Sequence, residues 1–137
     1  MAKRKQKSIA ALMNEAAALL QRIVRMKAAD ENGYCTCVTC GSKHHWKELD
    51  GGHFISRTKT IHKLLEENIH PQCKKCNGFL GGNHIPYALF MIDTYGREFV
   101  EHLELTKNDG IKYYRADILE IIGTLKKQSR ELEGRMV

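Results

Sequence analysis

The 137-residue chain carries 22 Lys and Arg against 16 Asp and Glu, a net charge of +6 with a sequence pI near 9.1. That length fits one domain with a helical extension and makes a second independent core unlikely, while the basic balance favours an anionic partner, nucleic acid first among them. No apolar run approaches the roughly 18 residues a membrane span needs; the stretch after the basic start also carries Asn14, Glu15, Gln21 and Arg22, which argues against a secretory signal and for a cytoplasmic protein.

Residues 1–7 read as a basic tail. From Ser8, a helix N-cap, the apolar positions Ile9, Leu12, Ala16, Leu19, Ile23 and Met26 recur at steps of three and four, which predicts a helix to about Ala29, ended by Asn32-Gly33. Such a stripe packs on the domain's own core or forms a dimer seam, since three-four spacing also suits a coiled coil. Residues 1–33 form this tail and helix, 34–84 a central unit, and 85–137 a helical remainder of the same domain.

The central unit holds Cys37-x-x-Cys40 and Cys73-x-x-Cys76. Each pair can sit on a tight knuckle that aims two thiolates at one ion, so the four cysteines predict a structural zinc; disulfides are the alternative in an oxidising compartment. Cys35 is left over, as a free thiol beside the site or a substitute for Cys37. Between the knuckles, Trp46 to Ser56 reads as a strand broken by Gly51-Gly52, and Glu67 to Gln72 as its partner, with a basic loop of Arg57, Lys59 and Lys63 between them. The two glycines let another backbone or a phosphate come close. The second knuckle opens a short helix that ends at Gly81-Gly82.

The remainder is helical: Ile85 to Tyr95 with Pro86 in its first position, Arg97 to about Leu105, and about Tyr113 to Leu132. In the last, Ile118, Leu125 and Leu132 are spaced seven apart with Tyr114 and Ile121 at three-residue offsets. This helix too faces the core or a second copy of the chain.

Of the seven histidines, His53 stands out because it lies on a predicted strand between the knuckles, where an imidazole suits water activation at neutral pH. Asn77 directly follows the last cysteine, so its amide oxygen either caps a helix or ligates Mg²⁺. Asn68 can bridge backbone groups across the loop and fix the direction of His53. Arg57, Lys59, Lys74 and Lys75 are placed to meet phosphates, although basic residues are more often a solvated face.

Cys-x-x-Cys, a strand His, an Asn and Cys-x-x-Cys-Asn in this order resemble the zinc-stapled ββα-metal (HNH-like) endonucleases, including the endonuclease VII type of Holliday-junction resolvase. A longer string, Gly52-His53-Phe54 with Arg57, Asn68-Ile69-His70 with Gln72-Cys73, Lys75-Cys76-Asn77, Gly82-Asn83 and Tyr87, is similar to the phage lambda NinG (Rap) recombination nucleases over roughly residues 34–105. The resemblance implies an α+β, mostly helical fold: a small zinc-stapled ββα-metal core flanked by N- and C-terminal helices. It implies a phage or prophage DNA endonuclease that cuts branched recombination intermediates such as Holliday junctions and D-loops. His53 is then the general base, Asn77 a ligand of catalytic Mg²⁺ or Mn²⁺, Asn68 the orienting amide, and Cys37, Cys40, Cys73 and Cys76 the zinc ligands.

One position departs from that pattern. Many relatives carry Asp or His just before the base, where this chain has Gly52. Asp50 is the nearest carboxylate, but three residues before His53 it points to the opposite strand face unless the glycines form a bulge; Asn83, His70 and His62 are the other candidate ligands. The alternative function is a catalytically inactive zinc-stabilised module that binds DNA or a recombination partner. A homodimer built on either helical stripe would match the two-fold symmetry of a four-way junction.

Overall fold

Ser8 Oγ accepts the backbone N–H of Ala11 at 3.1 Å and starts α1 (Ile9–Ala28) in the computed structural model, which describes residues 6–136. The chain continues through a hairpin of β1 (Tyr34–Thr36) and β2 (Lys43–His45), then an antiparallel pair, β3 (Asp50–His53) and β4 (Ile69–Gln72). It closes with α2 (His84–Tyr95), α3 (Arg97–Thr106) and α4 (Arg115–Arg135). The fold is mixed α+β, mostly helical, with two small sheets. Among the described residues no helix is long and apolar enough to cross a membrane. Most of the basic tail lies outside the described residues.

The stripe on α1 is wider than the three-four pattern predicts, because Met13, Ala17, Leu20 and Val24 are buried together with Leu12, Ala16, Ile23 and Met26. The helix has two partners. One is α4, whose Ile118, Ile122 and Leu125 join the same apolar cluster; the other is the central unit, through Trp46, Leu49, Ile69 and the cysteines. Glu15 pairs with Lys126 and Arg22 with Glu133, so α1 and α4 run parallel from opposite ends of the sequence. This corrects the proposed dimer seams: Ala16, Ile23 and Ile118 are fully buried within one chain, and the two stripes cover each other.

A second cluster joins Phe54 and Ile55, just after β3, to Tyr87 and Met91 of α2 and Val100 and Leu103 of α3. The β3–β4 pair lies between the two cores and is held from both sides. Arg25 of α1 ties down the approach to β3 by donating to the carbonyls of Trp46 (3.2 Å) and Leu49 (3.0 Å).

Four local expectations need correction. Trp46–Glu48 forms a 3₁₀ turn rather than strand, and β3 is only four residues long. Its register is regular, with Asp50 opposite Gln72, Gly51 opposite Pro71, Gly52 opposite His70 and His53 opposite Ile69, so no bulge forms. Asn68 ends a 3₁₀ turn, Glu66–Asn68, instead of lying on the strand. The helix after the second knuckle is a single wide π turn, Lys75–Phe79, and Pro86 is the third residue of α2, still within the first turn where its missing N–H costs nothing.

Candidate metal centre and active site

The β1–β2 hairpin and the turn after β4 bring Cys37, Cys40, Cys73 and Cys76 together, with their sulfurs all within 4.8 Å of one another. Cys40 and Cys73 Sγ are 3.7 Å apart. A tetrahedral ion with Zn–S bonds of about 2.3 Å needs sulfur separations of roughly 3.8 Å, so the quartet fits one metal such as zinc. Polar groups approach the sulfurs: Thr39 Oγ1 lies 3.3 Å from Cys37 Sγ, Asn83 Nδ2 3.6 Å from Cys76 Sγ, and the Cys76 N–H points at Cys73 Sγ, although burial raises the metal-free Cys76 thiol to about 11. Burial pushes the Cys37 thiol up, but hydrogen bonds from Thr39 and the knuckle backbone outweigh it and favour the thiolate. Cys35 is not a fifth ligand. It packs in the apolar core, where burial raises its pKa to about 11.

His53, at the end of β3, places Nε2 2.9 Å from the carbonyl of Lys63. A carbonyl only accepts, so Nε2 carries the proton and Nδ1 is left with the lone pair. Burial, together with the charges of Arg57 and Lys63, lowers its pKa and so favours the neutral ring. Asn68 is fully buried and uses its whole amide: Oδ1 accepts from Ile55 N (2.8 Å), and Nδ2 donates to the carbonyls of Ile55 (3.0 Å) and His62 (3.2 Å). It thereby ties the segment after His53 to the segment before Lys63, and so positions the His53 ring from both ends.

Asp50, Gly52, His70 and Gln72 share the other face of the pair, as the register requires. No bulge is needed to bring Asp50 to Asn77: Asp50 Oδ2 accepts from Asn77 Nδ2 at 3.1 Å, and Lys74 Nζ donates to Asp50 Oδ1 at 2.6 Å. The two glycines have separate reasons. A Cβ at Gly51 would lie 2.7 Å from the α1 backbone at Gln21, and one at Gly52 would lie 1.9 Å from Gln72 Oε1 and 3.0 Å from Asn77 Oδ1. An acidic side chain before His53 has no room while Gln72 is there.

A cavity of about 570 Å³ connects these groups and is lined by Asp50, Gly51, His53, Asn77 and Gly82. Residues of both strand faces line it, so it runs along the unpaired edge of β3. Arg57 and Lys59 stand on its rim, and so does Lys107, which sequence reasoning did not single out because it lies beyond the central unit. Lys74 reaches the site through Asp50; Lys75 does not, lying with Cys40 and His44 near the zinc knuckle. The other candidate ligands are engaged elsewhere. His70 bonds the hydroxyls of Tyr87 (3.1 Å) and Tyr95 (2.7 Å), His62 reaches the Leu103 carbonyl and Thr106, and Asn83 faces Cys76. A cavity of similar size, about 600 Å³, opens beside Trp46 between the ends of α1 and α4 and holds none of the candidate site residues.

A family model described as "Bacteriophage Lambda NinG protein" matches residues 1–134, nearly the whole chain. The chain belongs to the bacteriophage lambda NinG family. Among curated relatives, Protein ninG of Escherichia phage 933W and that of Escherichia phage lambda are each 36% identical over 73 residues, 53% of this chain. Protein ninG of Salmonella phage P22 is 36% identical over 69 residues, 50% of this chain. The matched segment covers 36%, 35% and 34% of these NinG relatives respectively, so the likeness spans about a third of each. No solved structure matches.

Proposed function

We propose that the chain is a metal-dependent DNA endonuclease of the zinc-stapled ββα-metal (HNH-like) type, acting in the host cytoplasm on branched recombination intermediates. The observation that carries this reading is the 2.9 Å contact of His53 Nε2 with the Lys63 carbonyl, which leaves Nδ1 as the basic nitrogen of a residue that lines a cavity edged by Asn77 and basic side chains. Nδ1 takes a proton from water, and the hydroxide so formed attacks phosphorus in line as the 3′ oxygen leaves and is protonated from solvent. Asn68 keeps the imidazole pointed through the two loop segments it joins. Asn77, with Asp50 orienting its amide, would hold Mg²⁺ or Mn²⁺, which when bound stabilises negative charge on the phosphate and the leaving oxygen. Cys37, Cys40, Cys73 and Cys76 would hold zinc, whose part is to fix the two knuckles.

Arg57, Lys59 and Lys107 line the approach and supply phosphate contacts, which set affinity without reading sequence. The test is purified protein with labelled linear duplex, single strand, D-loop and four-way junction, in Mg²⁺, in Mn²⁺ and with chelator. Metal-dependent cutting of the branched substrates that disappears in His53→Ala is the expected result. Undiminished cutting by His53→Ala made in a nuclease-deficient host, or no cutting of any substrate by the wild type, refutes the assignment.

A further inference from the structure

Gln72 is fully buried on β4, and both hydrogens of its amide are taken: Nε2 donates to the Gly82 carbonyl at 2.8 Å and to Thr39 Oγ1 at 3.2 Å. The Gly82 carbonyl can only accept, so the amide cannot be turned round, and Oε1 must face β3. There it has no donor. Among the described residues it is the one buried side-chain oxygen or nitrogen without a hydrogen-bond partner. Leaving such an acceptor unpaired is costly, because it has given up water without gaining a donor. The space it occupies exists only because residue 52 is glycine, since a Cβ there would lie 1.9 Å from Oε1.

Asn77 repeats the arrangement from a different element. Its Nδ2 is anchored on Asp50 Oδ2, which turns Oδ1 inward to 3.0 Å from that same point above Gly52. Two amides therefore have their nitrogens fixed and their oxygens converging on one small volume, with a carboxylate alongside. Hard neutral oxygens next to one carboxylate are donors for a hard divalent cation that keeps part of its water shell. Asn77 and Asp50 also line the cavity, which gives the ion and its waters a route in.

We propose that Gln72 Oε1 is a direct ligand of the divalent cation, sharing it with Asn77 Oδ1 above Gly52 while Asp50 orients the Asn77 amide. The role of this ion in cutting DNA rests on the nuclease reading above; its binding does not. The glutamine from β4 supplies the oxygen that a side chain at position 52 of β3 would otherwise provide, and the two cannot coexist.

Binding is measured without DNA, by titrating Mn²⁺ into the zinc-loaded full chain and reading the free ion by electron paramagnetic resonance, with zinc content and melting temperature recorded for each variant. The wild type should bind one Mn²⁺ beyond the zinc. Gln72→Leu, close in volume, should weaken that binding by at least about tenfold, the scale on which even outer groups of a metal site act. Gln72→Glu, which adds charge in the same shape, should tighten it. Wild-type Mn²⁺ affinity in folded, zinc-loaded Gln72→Leu overturns the proposal; if that variant does not fold, unchanged affinity in Gln72→Glu does so. Loss of Mn²⁺ binding in Asn77→Ala with normal binding in Gln72→Leu would remove Gln72 and leave the nuclease assignment standing. A Gln72-dependent Mn²⁺ site in a wild type that cuts no DNA would do the reverse.

Discussion

His53 Nε2 and the backbone carbonyl of Lys63, ten residues apart across the basic loop, lie 2.9 Å from each other. This bond makes the imidazole a one-sided base, and burial holds its pKa below the usual value near 6.5. The sign follows directly: acidification protonates Nδ1 and removes the base, so cleavage should fall as pH drops and be fully developed at neutral pH. A pH–rate profile of kcat/KM on a four-way junction should show an acidic limb with an apparent pKa below 6.5. His53→Ala should lower the rate by about 10²–10⁴-fold while leaving junction binding nearly intact. A limb centred above 7 would exclude a buried neutral His53 as the titrating base.

The environment of Cys35 separates it from the quartet. It sits in the apolar core with its pKa raised to about 11, whereas the other four sulfurs face one another. Cys35→Ala should therefore keep one zinc per chain by elemental analysis, and Cys73→Ser should lose it. Removal of structural zinc takes away folding free energy directly, so chelation should unfold the central unit as seen by circular dichroism. A metal-free chain that stays folded would contradict the zinc assignment.

How far the sequence could be read depended on the range of the interaction. Ligand spacing is local, so the Cys-x-x-Cys pairs were enough to expect the cluster of four cysteines that the structure brings together and that could hold one metal ion. Helical periodicity is also local, and α1, α3 and α4 start and stop near their expected ends. Periodicity shows that a stripe is covered, not by what, so the same residues that suggested a dimer seam are paired inside one chain. Gln72 stands in the string that resembles the NinG family, but nothing local in the sequence gives its role. A glutamine on a buried strand is unremarkable until the opposite strand shows a glycine beneath its oxygen and no donor to meet it. The absence of an acid at position 52 looked like a gap in the site, and its cause was a side chain twenty residues further along.

The parallel pairing of α1 with α4 changes what charged substitutions there should do. Ile23 and Ile118 are fully buried, and placing an unpaired carboxylate at either position removes a large part of the roughly 5–15 kcal/mol that stabilises a domain. Ile23→Asp or Ile118→Asp should give unfolded or aggregated protein in thermal melts and sedimentation. A folded, well-behaved monomer from a dimeric wild type would restore the stripe as an intermolecular seam.

Asn68 offers a test of positioning as opposed to chemistry. Replacing it with Ala leaves the Ile55 N–H and the carbonyls of Ile55 and His62 without their partner, at about 1–3 kcal/mol of stability for a buried group left unpaired. The loop that carries Lys63 should loosen, and with it the anchor of His53 Nε2. Expected are a lower denaturation midpoint and a reduced kcat with little change in junction affinity. Because the base itself is intact, the acidic limb of the pH–rate profile should move toward the unperturbed value as the ring becomes more solvated, a shift that simple loss of folded protein would not produce.

The basic residues divide by position, and DNA binding should divide with them. Arg57, Lys59 and Lys107 line the cavity that holds His53, whereas Lys75 lies against the zinc knuckle and is directed elsewhere. Each phosphate contact releases condensed counterions, so log K falls with log salt by about 0.9 for every contact made to duplex DNA. Replacing Arg57, Lys59 or Lys107 with Ala should weaken binding of all branched substrates alike and flatten that slope by about one each. Lys75→Ala should leave both affinity and slope close to wild type. Lys74→Ala is a different case, because its ammonium neutralises Asp50; its loss should strengthen the local negative charge and favour cation binding even as it removes a positive charge from the surface. Should Lys75→Ala flatten the slope and the three rim substitutions not, the DNA would have to cross the knuckle face, and the cavity along β3 could not be where the phosphate is cut.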